Sequence, residues 1–341
     1  METQSPYRLY GHIGSPYSMK LRAALRYRRL PHVFVEDGRE LFQRQSSMRV
    51  PVIPILEYPD GSLHNDSTPL FLDLEQRHPD ARSIIPPRES DAFLAALIED
   101  LADEWLAKPM YFYRWFHPEF RKQTSEWIAY DMHFGGGLDR MQAWAKVFRE
   151  RQAERLALVG CTPENRPAIE AIAARFLEVL EPHVVETPFL FGSRPSIADF
   201  GLFGQLSQFV VDLAVIEPAR TQAPFTMRWV LLVHDLSGLE GKWRGSDEPL
   251  RSAVEALLKI AGEDYLPFLV ANARAWEDKA PMVRHESSGL AYEQAPYRYQ
   301  VKCLADLRKK FVALSAEARA EIAPLLERTG CVKYLRQQAA H

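Results

Sequence analysis

Three hydroxyl side chains fall within four residues in the stretch Gly14-Ser15-Pro16-Tyr17-Ser18. The spacing places Ser15 at the N-cap of a helix and Pro16 in its first turn, where a missing N–H costs nothing. A serine there is first a helix cap, and a chemical role needs partners elsewhere in the chain. Other common chemistries lack their residues. The ten histidines are scattered with no His-Glu-x-x-His, and there is no Cys-x-x-Cys, so no zinc or other metal site is expected. Gly135-Gly136-Gly137 is not followed by the Gly-Lys-Ser/Thr of a phosphate loop and reads as a loop between helices. No Gly-x-Ser-x-Gly elbow is present.

The elements that would position Ser15 alternate between strand and helix. Tyr7 to Tyr10 reads as a strand, and Leu21, Ala24 and Leu25 recur at the spacing of a helical face. Lys20, Arg22, Arg26, Arg28 and Arg29 read as the solvated side of that helix. His32 to Val35 is a second strand, ending at Asp37-Gly38, with a short helix and loop after it. Val52 to Leu56 and Leu63-His64 flank the turn signal Tyr58-Pro59-Asp60-Gly61, which predicts a hairpin. Asp66 and Ser67 then offer caps for a helix with Leu70, Phe71 and Leu74 on one face.

Ile84-Ile85-Pro86-Pro87-Arg88 breaks the pattern, and beyond it strand signals nearly vanish. Phe93, Leu94, Leu97, Ile98, Leu101 and Trp105 form a helical stripe. Ala168 to Leu180, Phe200 to Leu213, Val254 to Ile260, Leu304 to Leu314 and Ala316 to Glu327 read as further helices. The expected division is residues 1–83, a linker at 84–89 and a helical domain over 90–341 of about six to nine helices.

The 341 residues, 47% apolar and 26% charged, are enough for two globular domains without disulfide or metal staples. A net charge of −3 argues against a dedicated nucleic-acid binder. No run approaches a membrane span, and three distant cysteines (Cys161, Cys303 and Cys331) suit a reducing compartment. A cytoplasmic protein is expected.

Three motifs together carry a resemblance. Ser15-Pro16-Tyr17-Ser18 is similar to the Cys-Pro-Tyr-Cys turn of glutaredoxins with both cysteines replaced. Ile53-Pro54-Ile55-Leu56 leading to Asp66-Ser67 resembles the Val-Pro-x-Leu…Asp/Glu-Ser pattern of cytosolic glutathione transferases. Ser196-Ile197-Ala198-Asp199, after Phe189-Leu190-Phe191-Gly192, resembles that family's helical-domain capping motif, a variant of the capping box. The resemblance covers about residues 7 to 245 and leaves an extension from about 246 unplaced.

It implies an α/β thioredoxin-like N-terminal domain, an all-α helical bundle domain and a homodimer. It implies glutathione as co-substrate, with Ile53 offering its backbone to the cysteinyl part beside a cis Pro54. Asp66 would hold the γ-glutamyl ammonium, and Ser67 with the following helix start would hold its carboxylate. Ser15 would stabilise the glutathione thiolate as a hydrogen-bond donor, with Ser18 or Tyr17 as alternates. Without a thiol at 15 or 18, a disulfide-exchange cycle is not expected. His12, Trp105, Tyr111, Tyr113 and Trp115 are the candidates for a substrate pocket, with core packing as the alternative for each aromatic. The implied activity is attack of the thiolate on a small apolar electrophile, by conjugation or by related elimination, isomerisation or peroxide reduction. The competing reading is a non-catalytic binding protein that works through its helical tail.

Overall fold

The computed structural model describes residues 5–79, 81–210, 212 and 219–336. Strand β1 (Tyr7–Tyr10) runs parallel to β2 (His32–Val35) across helix α1 (Pro16–Tyr27). Helix α2 (Gly38–Ser47) follows, capped by the Asp37 carboxylate, which accepts from the N–H groups of Arg39 and Glu40 at 2.8 and 3.0 Å. Strands β3 (Ile55–Glu57) and β4 (Leu63–Asn65) form the expected hairpin, and Gly61 supplies the positive φ that its turn needs. Helix α3 (Ser67–Arg77) closes the unit. The four-stranded sheet has the order β2-β1-β3-β4, with β1 antiparallel to β3. A thioredoxin-like α/β layer is therefore followed by helices.

The basic side of α1 is solvated only in part: Arg29 is exposed and Arg22 and Arg26 are half-buried, but two of its cations are covered. Lys20 is fully buried and Arg28 is 3% exposed. The reason is tertiary: α1 is packed between the sheet layer and the later helices, so little of its circumference is left to water. Each buried cation is paired, Lys20 with Glu99 and Asp103 at 2.5 Å, and Arg28 with Glu75 at 3.2 Å.

Helix α4 (Glu89–Leu101) passes through a π-helical turn, Ala102–Leu106, into α5 (Ala107–Trp115). Then come α6 (Pro118–Met132), α7 (Leu138–Glu154), α8 (Arg166–Glu186), α9 (Ile197–Phe209) and α10 (Pro224–Val233). The extension adds α11 (Ser252–Ile260), α12 (Leu266–Glu277), α13 (Arg298–Ala313) and α14 (Ala316–Arg328). Eleven helices of nine residues or more thus stand among the described residues after the linker, above the expected six to nine. Val211 and Leu213, at the end of the predicted Phe200 to Leu213 helix, lie outside the described residues.

The second half also contains a strand pair that the pattern hid, β5 (Val283–Ser287) and β6 (Leu290–Gln294). Its turn is Ser288-Gly289, both at positive φ as a two-residue hairpin turn requires. The signal was faint because only Val283, Ser287, Tyr292 and Gln294 of its ten strand residues are buried. No helix among the described residues is long and apolar enough to cross a membrane.

Candidate active site

Strand register assembles the site. Tyr10 pairs with Val35 on one side and Ile55 on the other, and Ile55 pairs with Asn65. This single row ends all four strands at one edge of the sheet. The segments that continue from it, 11–15, 36–39, 53–54 and 66–67, therefore converge, although they are distant in sequence.

Ser15 caps α1: its Oγ accepts from the Ser18 N–H at 3.2 Å, and the residue is 6% exposed. The Ser18 hydroxyl is fully buried with no hydrogen-bond partner among the described residues, in a place that leaves no room for a Cβ on Gly11. The Tyr17 hydroxyl donates to the Asp103 carbonyl at 2.9 Å, across the boundary with the helical half. Burial, then the charges of Glu104 and Asp103, raises its pKa, so it stays a phenol. Of the three hydroxyls, Ser15 alone stands at the helix N-terminus itself.

The Ile53–Pro54 peptide bond is cis. The Asn65 amide steadies the same loop by donating to the carbonyls of Val50 at 2.7 Å and Val52 at 3.4 Å. Next along the edge, Asp66 is at φ +75°, an uncommon conformation for a residue other than glycine. Its side chain makes no capping hydrogen bond to α3, so the first N–H groups of that helix are left without a carboxylate cap. The Ser67 hydroxyl is buried and accepts from Lys20 Nζ at 3.4 Å. Burial opposes the Lys20 charge, but Asp103 and Glu99 outweigh it and raise its pKa, so a fixed cation underlies the start of α3.

The helical half grips the loop before Ser15. Arg114 on α5 donates to the Gly14 carbonyl at 2.5 Å, and its guanidinium is held by Asp212 at 2.9 Å and by Gln208. Gln208 also donates to the Ile13 carbonyl at 3.2 Å. His12 beside this loop is buried, its Nδ1 has no partner among the described residues, and burial followed by the Arg114 charge pushes its pKa down to about 4. It is neutral near pH 7.

A cleft of about 550 Å³ opens next to the loop, lined by Ile13, Glu36, Tyr130, Asp131, Met132 and Phe134 among others. Ile13 and Phe134 are 43% and 77% exposed, so these side chains are available to a ligand. Burial, then the Glu36 charge, pushes the Asp131 carboxyl up to about 7. Among the described residues no group of three or more His, Cys, Asp and Glu side chains is placed to hold a metal ion.

Residues 9–82 match the model of the glutathione S-transferase N-terminal domain, and residues 163–231 match that of the C-terminal domain. Over these two stretches the chain is similar to the two domains of glutathione S-transferases. Residues 83–162 and 232–341 lie outside the two matches. No curated protein matches the sequence. Similar solved structures include a glutathione S-transferase of Methylobacterium radiotolerans in complex with glutathione sulfonate. It is 17% identical, covers 72% of this chain and 100% of its own, and has a TM-score of 0.42. A β-etherase of Sphingobium sp. strain SYK-6 is 14% identical, over 75% of this chain and 99% of its own, with a TM-score of 0.46. A glutathione S-transferase of Ceriporiopsis subvermispora in complex with glutathione is 17% identical, over 67% and 96%, with a TM-score of 0.46.

The aromatic residues named as pocket candidates divide: Trp105 and Trp115 are buried, while Tyr111 and Tyr113 are half-buried. Trp105 is fully buried, packed against Phe268 and Tyr292 of the extension at centroid distances of 5.0 and 5.6 Å. Trp115 is 2% exposed against Phe148, Tyr111 donates to the Gln152 carbonyl at 3.0 Å, and Tyr113 packs edge-on to Phe209. These contacts tie helices together, with Trp105 and Trp115 in the core. A run of aromatics on one helix gives no sign of which face borders a cleft. The Asp235 to Gly241 loop is likewise spent on structure: the carbonyls of Ser237 and Glu240 accept from Arg29 and Tyr27 at the far end of α1. Arg114, Gln208 and the cleft residues of α6 were missed because they carry no local motif; their role follows from tertiary placement alone.

Proposed function

We propose that the chain is a glutathione-dependent transferase in which the Ser15 hydroxyl stabilises the glutathione thiolate. The observation that carries this reading is the strand row Val35–Tyr10–Ile55–Asn65, which brings Ser15, Ile53-Pro54 and Asp66-Ser67 to one edge of the sheet. Asp66 would take the ligand's ammonium, and the uncapped start of α3 would take the adjoining carboxylate, because a helix N-terminus favours anions. The backbone of Ile53 would meet the cysteinyl part, which directs the sulfur toward Ser15.

At that position the Ser15 O–H donates to the sulfur while its Oγ keeps the Ser18 N–H. The α1 N-terminus adds a partial positive charge, and the two together favour the thiolate over a thiol whose free pKa is ~8.5. The thiol proton leaves to solvent. The sulfur lone pair then forms a bond to an electrophilic carbon in the cleft beside Ile13, and the displaced electron pair leaves with the departing group or enters the acceptor. The cleft has apolar walls at Ile13, Met132 and Phe134 and a charged edge where Glu36 and Asp131 stand with Arg39 and Arg140, so the electrophile it suits has an apolar body and a polar end. Ser18 and Tyr17 are the weaker alternates, since one hydroxyl is sealed against Gly11 and the other is engaged by Asp103.

The test is a glutathione titration followed by the ultraviolet absorbance of the bound thiolate. The native protein is expected to show it at neutral pH, and Ser15→Ala to raise the bound-thiol pKa by about 1–2 units, the equivalent of one hydrogen bond to a charged group. Full retention of the absorbance in Ser15→Ala rejects Ser15. Thermal melting of both proteins separates this from the ~1 kcal/mol that loss of an N-cap costs.

A further inference from the structure

Helix α13 of the extension is pinned along one side. Gln300, Cys303, Leu304, Leu307 and Phe311 are buried, and Gln300 donates to Glu104 at 3.2 Å. Just before the helix, the Asn272 amide both donates to the Tyr297 carbonyl at 3.0 Å and accepts from its N–H at 2.8 Å. The helix therefore has a fixed place, and it presents two side chains to the sheet edge. The Tyr299 hydroxyl donates to Asp66 Oδ2 at 3.1 Å, and Lys302 Nζ stands 3.7 Å from the same oxygen.

Both contacts fall on Oδ2, and no described residue hydrogen-bonds to Oδ1. At 3.7 Å the Lys302 ammonium is an ion-pair neighbour of Asp66 without a close hydrogen bond, so its N–H groups remain available. Its side chain is 53% exposed, and an ion pair in that setting is worth only ~0–1 kcal/mol. Such a pair is weak as a structural clasp. It does, however, set a full positive charge beside an aspartate and an uncapped helix start. An anionic and a cationic group are thus presented side by side, which is the complement of a zwitterionic amino-acid end.

We propose that Lys302 is a specificity-determining residue that holds the α-carboxylate of the γ-glutamyl end of glutathione. Tyr299 is a positioning residue that fixes the Asp66 carboxylate, whose free Oδ1 takes the α-ammonium. The inference rests on the reading of this edge as a glutathione site. It gives the extension, which lies outside both family matches, a direct part in ligand selection.

The test is calorimetric titration of the full chain and of Lys302→Met with three tripeptides: glutathione, its glutaryl analogue without the α-ammonium, and its γ-aminobutyryl analogue without the α-carboxylate. Lys302→Met is expected to weaken glutathione and the glutaryl analogue by roughly 3- to 10-fold, the range of a half-exposed charged contact, and to leave the γ-aminobutyryl analogue within about twofold. Lys302→Arg is expected to keep most of the affinity. Equal loss for all three ligands, no loss, or tighter binding overturns the proposal; tighter binding marks Lys302 as a plug on Asp66. Failure of the native protein to bind any of the three overturns the glutathione reading itself, a result visible before any variant is made.

Discussion

Two helix starts in this molecule use the same residue types and end in opposite states. At α9, Ser196 and Asp199 satisfy each other: the Asp199 carboxylate accepts from the Ser196 N–H at 2.7 Å, the Ser196 hydroxyl at 2.6 Å and the Leu190 N–H at 3.1 Å. Both residues are buried, and no donor is left over for a ligand. At α3, Asp66 is itself the N-cap residue, yet unlike Asp37 at α2 its carboxylate accepts no N–H of the helix it starts. Asp66 instead turns to the positive-φ region and away from its own helix, toward Tyr299 and Lys302. The pair that closes on itself holds the fold, and the open pair is the one proposed to meet the ligand. The start of α1 lies between these extremes, because Ser15 caps its helix and still has a proton to donate.

The sharpest way to break this contrast is to remove each aspartate. Asp199→Ala leaves buried donors of Leu190 and Ser196 unpaired and is expected to cost about 3–5 kcal/mol, read from the denaturant midpoint. A loss below ~1 kcal/mol would show the buried box to be no more structural than the open start.

A second experiment asks how dry the α1 start is. Burial and Arg114 hold His12 near a pKa of about 4, below its unfolded value near 6.5. The unfolded chain therefore binds the proton more readily between those values, and His12 makes the fold lose stability as pH falls from 6.5 to 4. His12→Asn is expected to spare roughly 3 kcal/mol of that acid loss, measured as the difference in unfolding free energy between the two proteins at pH 7 and pH 4. All other groups titrate alike in both proteins, so parallel curves would mean that His12 is charged or wet in the folded state.

The smallest effect on stability is expected at Asp66. Asp66→Asn removes a partly exposed charge that caps nothing, so unfolding should shift by less than about 0.5 kcal/mol while glutathione affinity falls roughly 10- to 100-fold. A stability loss like that of Asp199→Ala would erase the distinction between the two helix starts.

Much of the sheet edge was legible in the sequence because its pieces are local: a proline after Ser15, a turn at Asp60-Gly61, and Asp66-Ser67 ahead of an apolar stripe. Strand pairing then needed only the ordinary alternation of polar and apolar residues. What could not be read depends on which faces meet. The cations of α1 read as solvated because a helix pattern does not say whether a second layer covers it, and Lys20 and Arg28 are covered. In the aromatic run from Trp105 to Trp115, Trp105, Phe112 and Trp115 are buried in the core while Tyr111 and Tyr113 are only half-buried, and composition does not tell the two groups apart. Hairpin β5–β6 is too polar on its exposed positions to announce itself, and the α13 contact with Asp66 spans more than 230 residues.

The carbonyl contacts of Arg114 and Gln208 have a consequence for modularity. The loop that carries Ser15 borrows its two fixing hydrogen bonds, at Ile13 and Gly14, from helices more than ninety residues away. Residues 1–83 expressed alone would keep the strand row but lose both struts, so the hydroxyl would have its helix without a fixed height above it. Swapping the N-terminal unit between relatives is then a trade in partners as much as in sheets. A transplanted unit should keep its aim only where an arginine and a glutamine wait at the matching places on the recipient's helices.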